Sequence, residues 1–406
     1  MMETRRTCLR LAAASLLLAG AAAQAQNDGP VKIAVLTDLS GFLSQALGPG
    51  SVEAARMAIE DFGGEVLGRK IELVFADHQN KPDVGLAAAR KWYESEGVDV
   101  IADIGNSAVG MGVQELAKSK KKLVFFSGAS SSAFTNTACS PYGTQWSHDS
   151  YMFSKALPAR LVARGDKNWY IIAADFAFGQ QLAADTARTV TAAGGKVAAT
   201  VKHPPNTSDF SSYLMQASAS KAEAVALSNG TAFTVNAIKQ WNEYQMGAKG
   251  QKLIALALLI SEVRALGLPT AQGTLFSTVW YWDLNDKTRA FSQRFFERHK
   301  AMPTEAHAGT YSAVSHYLKA VKAAGSKDPD AVRAKMRELP VNDFYSDNVR
   351  IREDGRVMRP SYIAQVKAPA ESKGPWDVYK ILETVPAEQS WRPLAESECP
   401  LVKKGG

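Results

Sequence analysis

The sequence predicts an α/β protein of two similar units, each a doubly wound sheet of parallel strands covered by helices. Three observations predict it. Short apolar, β-branched runs alternate with amphipathic stretches of helical period. The alternation starts again after about residue 150, as a second unit would. Small polar loops follow several strands, at the end where open α/β sheets bind ligands.

The elements read as follows. Residues 31–36 form a strand, and a loop holding Asp38, Phe42 and Gly48 leads to a helix capped by Ser51 and stopped by Gly63-Gly64. Residues 70–77 alternate as a strand, and Pro82 opens a helix through Tyr93. Residues 98–104 form a strand, followed by Gly105-Asn106-Ser107 and a helix to about Lys118. Leu123-Val124-Phe125-Phe126 is a buried strand, leading into Ser127-Gly128-Ala129-Ser130-Ser131-Ser132. In the second unit, strands are expected at 168–174, 196–201, 222–227 and 252–259. Its helices are expected at 179–193, 208–219 and 231–246. A long apolar run at 273–282 precedes helices at 287–300, 306–324 and 329–339. Residues 362–385 read as two strands around Lys373-Gly374-Pro375. A chain that crosses between two units more than once makes a hinge, with a cleft between facing strand ends.

Residues 1–25 are different in kind. Arg5, Arg6 and Arg10 precede an apolar run and Ala23-Gln24-Ala25, the pattern of a secretory signal peptide cleaved near Ala25. Residues 4–10 also resemble a twin-arginine signal, with Cys8 where Phe is usual. The net charge of +7 becomes +5 once the three arginines and Glu3 are removed. That modest, scattered excess includes Lys118, Lys120, Lys121 and Lys122 in one turn, with no stripe suited to nucleic acid. A mean hydropathy of −0.17 excludes a multi-span membrane protein. Cleavage leaves Cys139 and Cys399, which in an exported chain are expected to form one disulfide; two free buried thiols are the alternative.

No phosphate loop, dinucleotide fingerprint or nucleophile elbow occurs. The six histidines are dispersed without metal spacing, and Asp103, ending a buried strand, reads as a hydrogen-bonded structural acid. No catalytic constellation, metal site or cofactor is expected. The loops Asp38-Leu39-Ser40-Gly41-Phe42, Gly105-Asn106-Ser107, 127–132 and Ser228-Asn229-Gly230-Thr231 can instead offer N–H and hydroxyl groups to an anion. Alone, 127–132 would be a surface turn. Together with Phe42, Trp146, Phe178, Trp280, Tyr281 and Trp282, these loops describe a carboxylate pocket with aromatic walls.

Thr37-Asp38-Leu39-Ser40-Gly41, residues 48–61, Ser127-Gly128-Ala129-Ser130-Ser131, residues 175–180 and residues 308–313 resemble the periplasmic solute-binding proteins of ABC transporters related to the leucine/isoleucine/valine-binding protein. The resemblance spans essentially the whole chain after the signal peptide. It implies two Rossmann-like lobes with parallel central sheets, joined by a three-segment hinge, with the ligand cleft between them. Lobe 1 would hold residues 31–146 and 283–355, lobe 2 residues 150–278 and 356–390, and a tail residues 391–406. The resemblance also implies a monomer in the periplasm that passes a small carboxylate to a membrane ABC permease. The ligand carboxylate would rest on Asn106, Ser107, Ala129, Ser130 and Ser131, with Phe178 covering it and Asn229 and Thr231 facing the cleft. Phe42, Leu258, Trp280 and Tyr281 complete the expected site.

One departure bears on the ligand. Amino-acid binders of this family hold the ammonium with an acid at the strand end matching Ala257-Leu258-Leu259, which here is apolar, with Glu262 several residues later. An unpaired buried ammonium is costly. A ligand without an α-amino group is therefore expected, an aromatic or aliphatic acid. The alternatives are an amino acid whose ammonium meets Asp38 or Asp149, and a sensory receptor of the same fold.

Overall fold

The computed structural model describes residues 29–403. The expected signal peptide lies outside them. Sheet 1 comprises β1 (Val31–Thr37), β2 (Glu65–Val66), β3 (Arg69–Asp77), β4 (Val100–Ile104), β5 (Leu123–Phe126) and β6 (Gly143–Gln145). Their order is β2-β3-β1-β4-β5-β6, all parallel except the short β2–β3 pair. Between the strands run α1 (Gly48–Phe62), α2 (Pro82–Glu94) and α3 (Ser107–Lys120). The two faces of β1 show why a parallel strand is apolar throughout. Ile33 and Val35 pack toward Val52, Ala55 and Val314, while Ala34 and Leu36 pack toward Trp92, Val109 and Val113.

The chain then builds α4 (Ser150–Ala163), β7 (Asn168–Ala174), α5 (Ala177–Ala192), β8 (Lys196–His203), α6 (Ser211–Ala219), β9 (Ala224–Ser228), α7 (Ala232–Glu243) and β10 (Lys252–Ala255). Sheet 2 has the order β10-β9-β7-β8 and is parallel. Two short helices follow, α8 (Ile260–Leu266) and α9 (Leu268–Ala271), then β11 (Leu275–Thr278). Next come α10 (Asp286–His299), α11 (Glu305–Ala324) and α12 (Pro329–Glu338), with α11 packed on α1 in the core under sheet 1. β12 (Ser361–Val366) and β13 (Tyr379–Val385) form an antiparallel sheet with β11, and α13 (Ala387–Ser390) packs on α4.

Several boundaries differ from the sequence reading. α1 starts at Gly48, and Ser51 sits inside it with a buried hydroxyl instead of capping it. Gly48-Pro49 begins the helix because Pro is tolerated in a first turn. The strand expected over 252–259 ends at Ala255, and the unforeseen α8 and α9 follow it.

Three segments connect the sheets, at residues 146–149, 279–285 and 356–360. The first and third are strapped by two buried arginines. Arg356 donates to the Ser147 carbonyl and to Asp149 (3.1 Å); Arg359 donates to the Trp146 carbonyl and to the hydroxyls of Ser346 (2.7 Å) and Ser312 (2.8 Å). Cys139 and Cys399 are disulfide-bonded, with Cα atoms 5.6 Å apart and 260 positions between them in sequence.

Candidate functional site

A cavity of about 300 Å³ lies between the carboxyl ends of the strands of sheets 1 and 2. One wall comes from the loops after β1, β3, β4 and β5. Asp38, fully buried, accepts from the N–H groups of Gly41 (2.6 Å) and Leu43 (2.9 Å) and from Asn80 Nδ2 (2.5 Å). This Asx turn folds the loop over the cleft and delivers Phe42, Leu43 and Leu47 to the wall. Gly41 fits there because a Cβ would lie 2.7 Å from an Asp38 oxygen. Asn106 caps α3, accepting from Ala108 N–H (2.9 Å) and Val109 N–H (3.2 Å), and so turns the helix N-terminus toward the cavity.

The serine loop is fixed from beneath. Asp103 accepts from Ser127 N–H (3.1 Å) and Gly128 N–H (2.9 Å), and burial raises its pKa to about 6. It is the structural acid the sequence suggested. Ser130 N–H donates to Ser107 Oγ (3.1 Å), which ties the two strand ends together. Asn106, Ser107 and Ser130 line the cavity. No lysine or arginine does so among the described residues.

The opposite wall comes from the loops after β7, β8, β9 and β10. Phe176 and Phe178 line it, and Phe42 reaches across the cleft to Phe176 and Phe233, with ring centroids at 6.5 and 5.6 Å. Thr231, also in the wall, has φ +57°, a region a β-branched residue adopts only when held there. Glu262 holds it: its Oε1 accepts from Thr231 N–H (2.6 Å), and its Oε2 from Leu259 N–H (3.0 Å). Glu262 lines the cavity, and burial pushes its pKa up to about 8. His148, on the first connecting segment, completes the cavity at the hinge.

The structure therefore brings together Phe42, Asn106, Ser107, Ser130, Phe178 and Thr231 of the expected residues. The other six do not line this cavity. Ala129 spends its N–H on the Ile104 carbonyl (2.7 Å), and Ser131 Oγ accepts from Ala133 N–H (3.3 Å) in the turn that follows. Asn229 is buried against His203 (3.3 Å) and Thr234 (2.7 Å). Leu258 points into the core of sheet 2, while its neighbours Ala257 and Leu259 face the cavity. Trp280 and Tyr281 pack in the second connecting segment, with Trp280 Nε1 donating to the Pro303 carbonyl (2.9 Å). Neither Asp38 nor Asp149 lines the cavity; Asp149 caps α4 and pairs with Arg356. Glu262 and His148 were not among the expected residues. The absence of an acid from this cavity, the premise for excluding an amino group, does not hold.

A family model described as "Periplasmic binding protein" matches residues 30–375. The chain belongs to the periplasmic binding protein family. A solved periplasmic binding protein from Burkholderia mallei is similar at 43% identity and a TM-score of 0.89, over 92% of this chain and 99% of that one. A branched-chain amino acid ABC transporter periplasmic ligand-binding protein from Burkholderia xenovorans is 39% identical, with a TM-score of 0.84, over 92% of this chain and all of that one. The Leu/Ile/Val-binding protein homolog 1 of Brucella suis is 24% identical over 319 residues, 77% of this chain and 82% of that protein. As a periplasmic binding protein, the chain has the two-lobed type I fold and is a ligand-binding component of the ABC transporter class. Among its described residues no helix is long and apolar enough to cross a membrane.

Proposed function

We propose that this protein captures a small carboxylate with an apolar body in the periplasm, by closure of two lobes, and delivers it to an ABC permease. The observation that carries this reading is the Ser107 hydroxyl at the N-terminus of α3, positioned by Ser130 N–H, in a cavity whose walls also carry the apolar side chains of Phe42, Leu47, Phe153, Phe176 and Phe178. A hydroxyl and a helix N-terminus hold an anion without a fixed cation, and the aromatic rings accept its apolar body; the Ser130 hydroxyl, which donates to the Gly128 carbonyl (2.7 Å), braces the loop instead. Lobe closure would bring Phe178 and Thr231 onto a ligand already resting on the serine wall. The protein acts as a monomer in this reading, without a cofactor and without chemistry on its ligand.

Glu262 supports a second reading, a branched-chain or other apolar amino acid, because a carboxylate in the wall can meet an ammonium. The name of the B. xenovorans protein points the same way. Titrating aromatic acids, aliphatic acids and apolar amino acids while following thermal unfolding tests both. A true ligand at about 100 times its Kd stabilises the fold by about 2.7 kcal/mol. If apolar amino acids stabilise and their deaminated counterparts do not, the second reading replaces the first. If no carboxylate stabilises the protein, both fall.

A further inference from the structure

We infer that His148 is a specificity-determining residue that recognises a hydroxyl group on the ligand. This rests on the carboxylate reading above and deepens it. His148 lines the cavity at the hinge and is 4% exposed. One edge of its ring faces polar neighbours. Nδ1 faces Glu305 Oε1 at 3.3 Å and Ser147 Oγ at 3.5 Å. Nε2, on the other edge, has no protein partner among the described residues. Phe153 packs on the ring at 5.0 Å and limits its rotation, and Phe178 packs edge-on against Phe153.

Glu305 is itself fixed. Its Oε2 accepts from Thr278 Oγ1 (2.9 Å) and Val279 N–H (3.0 Å), and its backbone carbonyl accepts from Ser147 Oγ (2.9 Å). Its Oε1 makes no hydrogen bond and lies 3.3 Å from the facing imidazole, which small adjustments would bring into a bond. Burial keeps the imidazole neutral, its pKa lowered to about 3, and raises that of Glu305 to about 7. A neutral imidazole beside this carboxyl group has two arrangements. Either Nδ1–H donates to the carboxylate and Nε2 presents a lone pair, or the protonated acid donates to Nδ1 and Nε2–H faces the ligand. An ammonium suits only the first and a carbonyl only the second. A hydroxyl, which donates and accepts, suits both, and so fits this subsite at any state of Glu305.

The subsite also adjoins the serine wall. Gln145 Nε2 donates both to the Ala129 carbonyl (2.9 Å) and to the His148 carbonyl (2.8 Å), and Ser150 N–H donates to the Ser130 carbonyl (2.7 Å). The ligand class is therefore a hydroxylated small carboxylic acid.

Isothermal titration with matched pairs tests this: isovalerate against 2-hydroxyisovalerate, and benzoate against its 2-, 3- and 4-hydroxy derivatives. At least one hydroxylated acid is expected to bind wild type ten to a hundred times (order of magnitude) more tightly than its parent. His148→Asn, which keeps a polar group near Nδ1 and removes Nε2, should bring that ratio to about one. His148→Gln, which reaches the Nε2 position, should retain part of it. Melting temperatures of both variants report whether the fold is kept. Parent acids that bind as tightly as every hydroxylated partner, or a preference unchanged in His148→Asn, would overturn the His148 assignment and leave the carboxylate reading standing. Failure of every acid to bind wild type would overturn both.

Discussion

The two walls of the cavity are built on opposite principles. The sheet 1 wall sets small polar groups beside the apolar Phe42, Leu43 and Leu47, and those polar groups are held by bonds within that wall: Asp103 under Ser127 and Gly128, Ser107 against Ser130, Asn106 on the α3 N-terminus. The sheet 2 wall is large and aromatic, and its acid, Glu262, is buried at a cost that shows in its raised pKa. In the proposed reading the first wall receives the carboxylate. The ligand's apolar body then meets the second wall, and its further polar group meets His148 at the hinge or Glu262 in that wall. That reading assigns the anion to one sheet, and the rest of the ligand to the other sheet and the hinge.

Titrating Glu262 sharpens the contrast most. Its folded pKa of about 8 lies above the value of 4.5 for a free glutamate. The folded state therefore binds more protons between those values, and stability falls as pH rises from about 4.5 to about 8. Shifts of this size amount to several kcal/mol. Glu262→Gln should flatten the fall, so that the variant gains on wild type from pH 5 to pH 8.5 in urea unfolding of the ligand-free protein. Glu305, raised to about 7, would leave a smaller slope of the same sign. An equal slope in both proteins would remove Glu262 from the account.

A smaller effect is expected from the polar wall. Ser107→Ala removes the hydroxyl that the proposed reading gives to the carboxylate, and should weaken every ligand by about 2 kcal/mol, roughly thirtyfold in Kd, without reordering them. A change in the order of ligands would mean that this wall also selects. The smallest effect concerns the aromatic bridge. Phe42→Leu loses the ring contacts to Phe176 and Phe233, worth about 1 kcal/mol, and should show mainly as faster dissociation in stopped-flow measurements.

The contrast also explains what was legible in the sequence. Strands such as Leu123-Val124-Phe125-Phe126 and helix stops such as Gly63 are local signals, and they emerge in the structure where expected. Asn106 and Ser107 were expected from the family resemblance, and they line the cavity because a cap and the first residue of a helix have fixed directions. Ala129 and Ser131 could not be separated from Ser130, since only the turn geometry decides which neighbour faces inward. Leu258 was misplaced for the same reason, by one residue of alternation.

Glu262 was discounted for standing too late in the chain. α8 folds it back one turn, so that Oε2 bonds Leu259 N–H. A glutamate at the third position of a helix is the signal that could have revealed this. Trp280 and Tyr281 were counted as cleft aromatics, although large rings more often fill a core. His148 gave no sequence signal, because its partner Glu305 lies far along the chain and meets it only across two connecting segments.

The Cys139–Cys399 bond gives the chain a covalent topology that its lobes alone would not have. Everything between these residues, sheet 2 and the connecting segments included, belongs to one closed ring. A single proteolytic cut in any loop of that ring, such as those leading to Phe178, Thr231 or Glu262, leaves both fragments joined. The same cut in the loop carrying Phe42 releases a free piece, held only by its packing in sheet 1. The sheet 2 wall is thus the one that can be nicked without being lost.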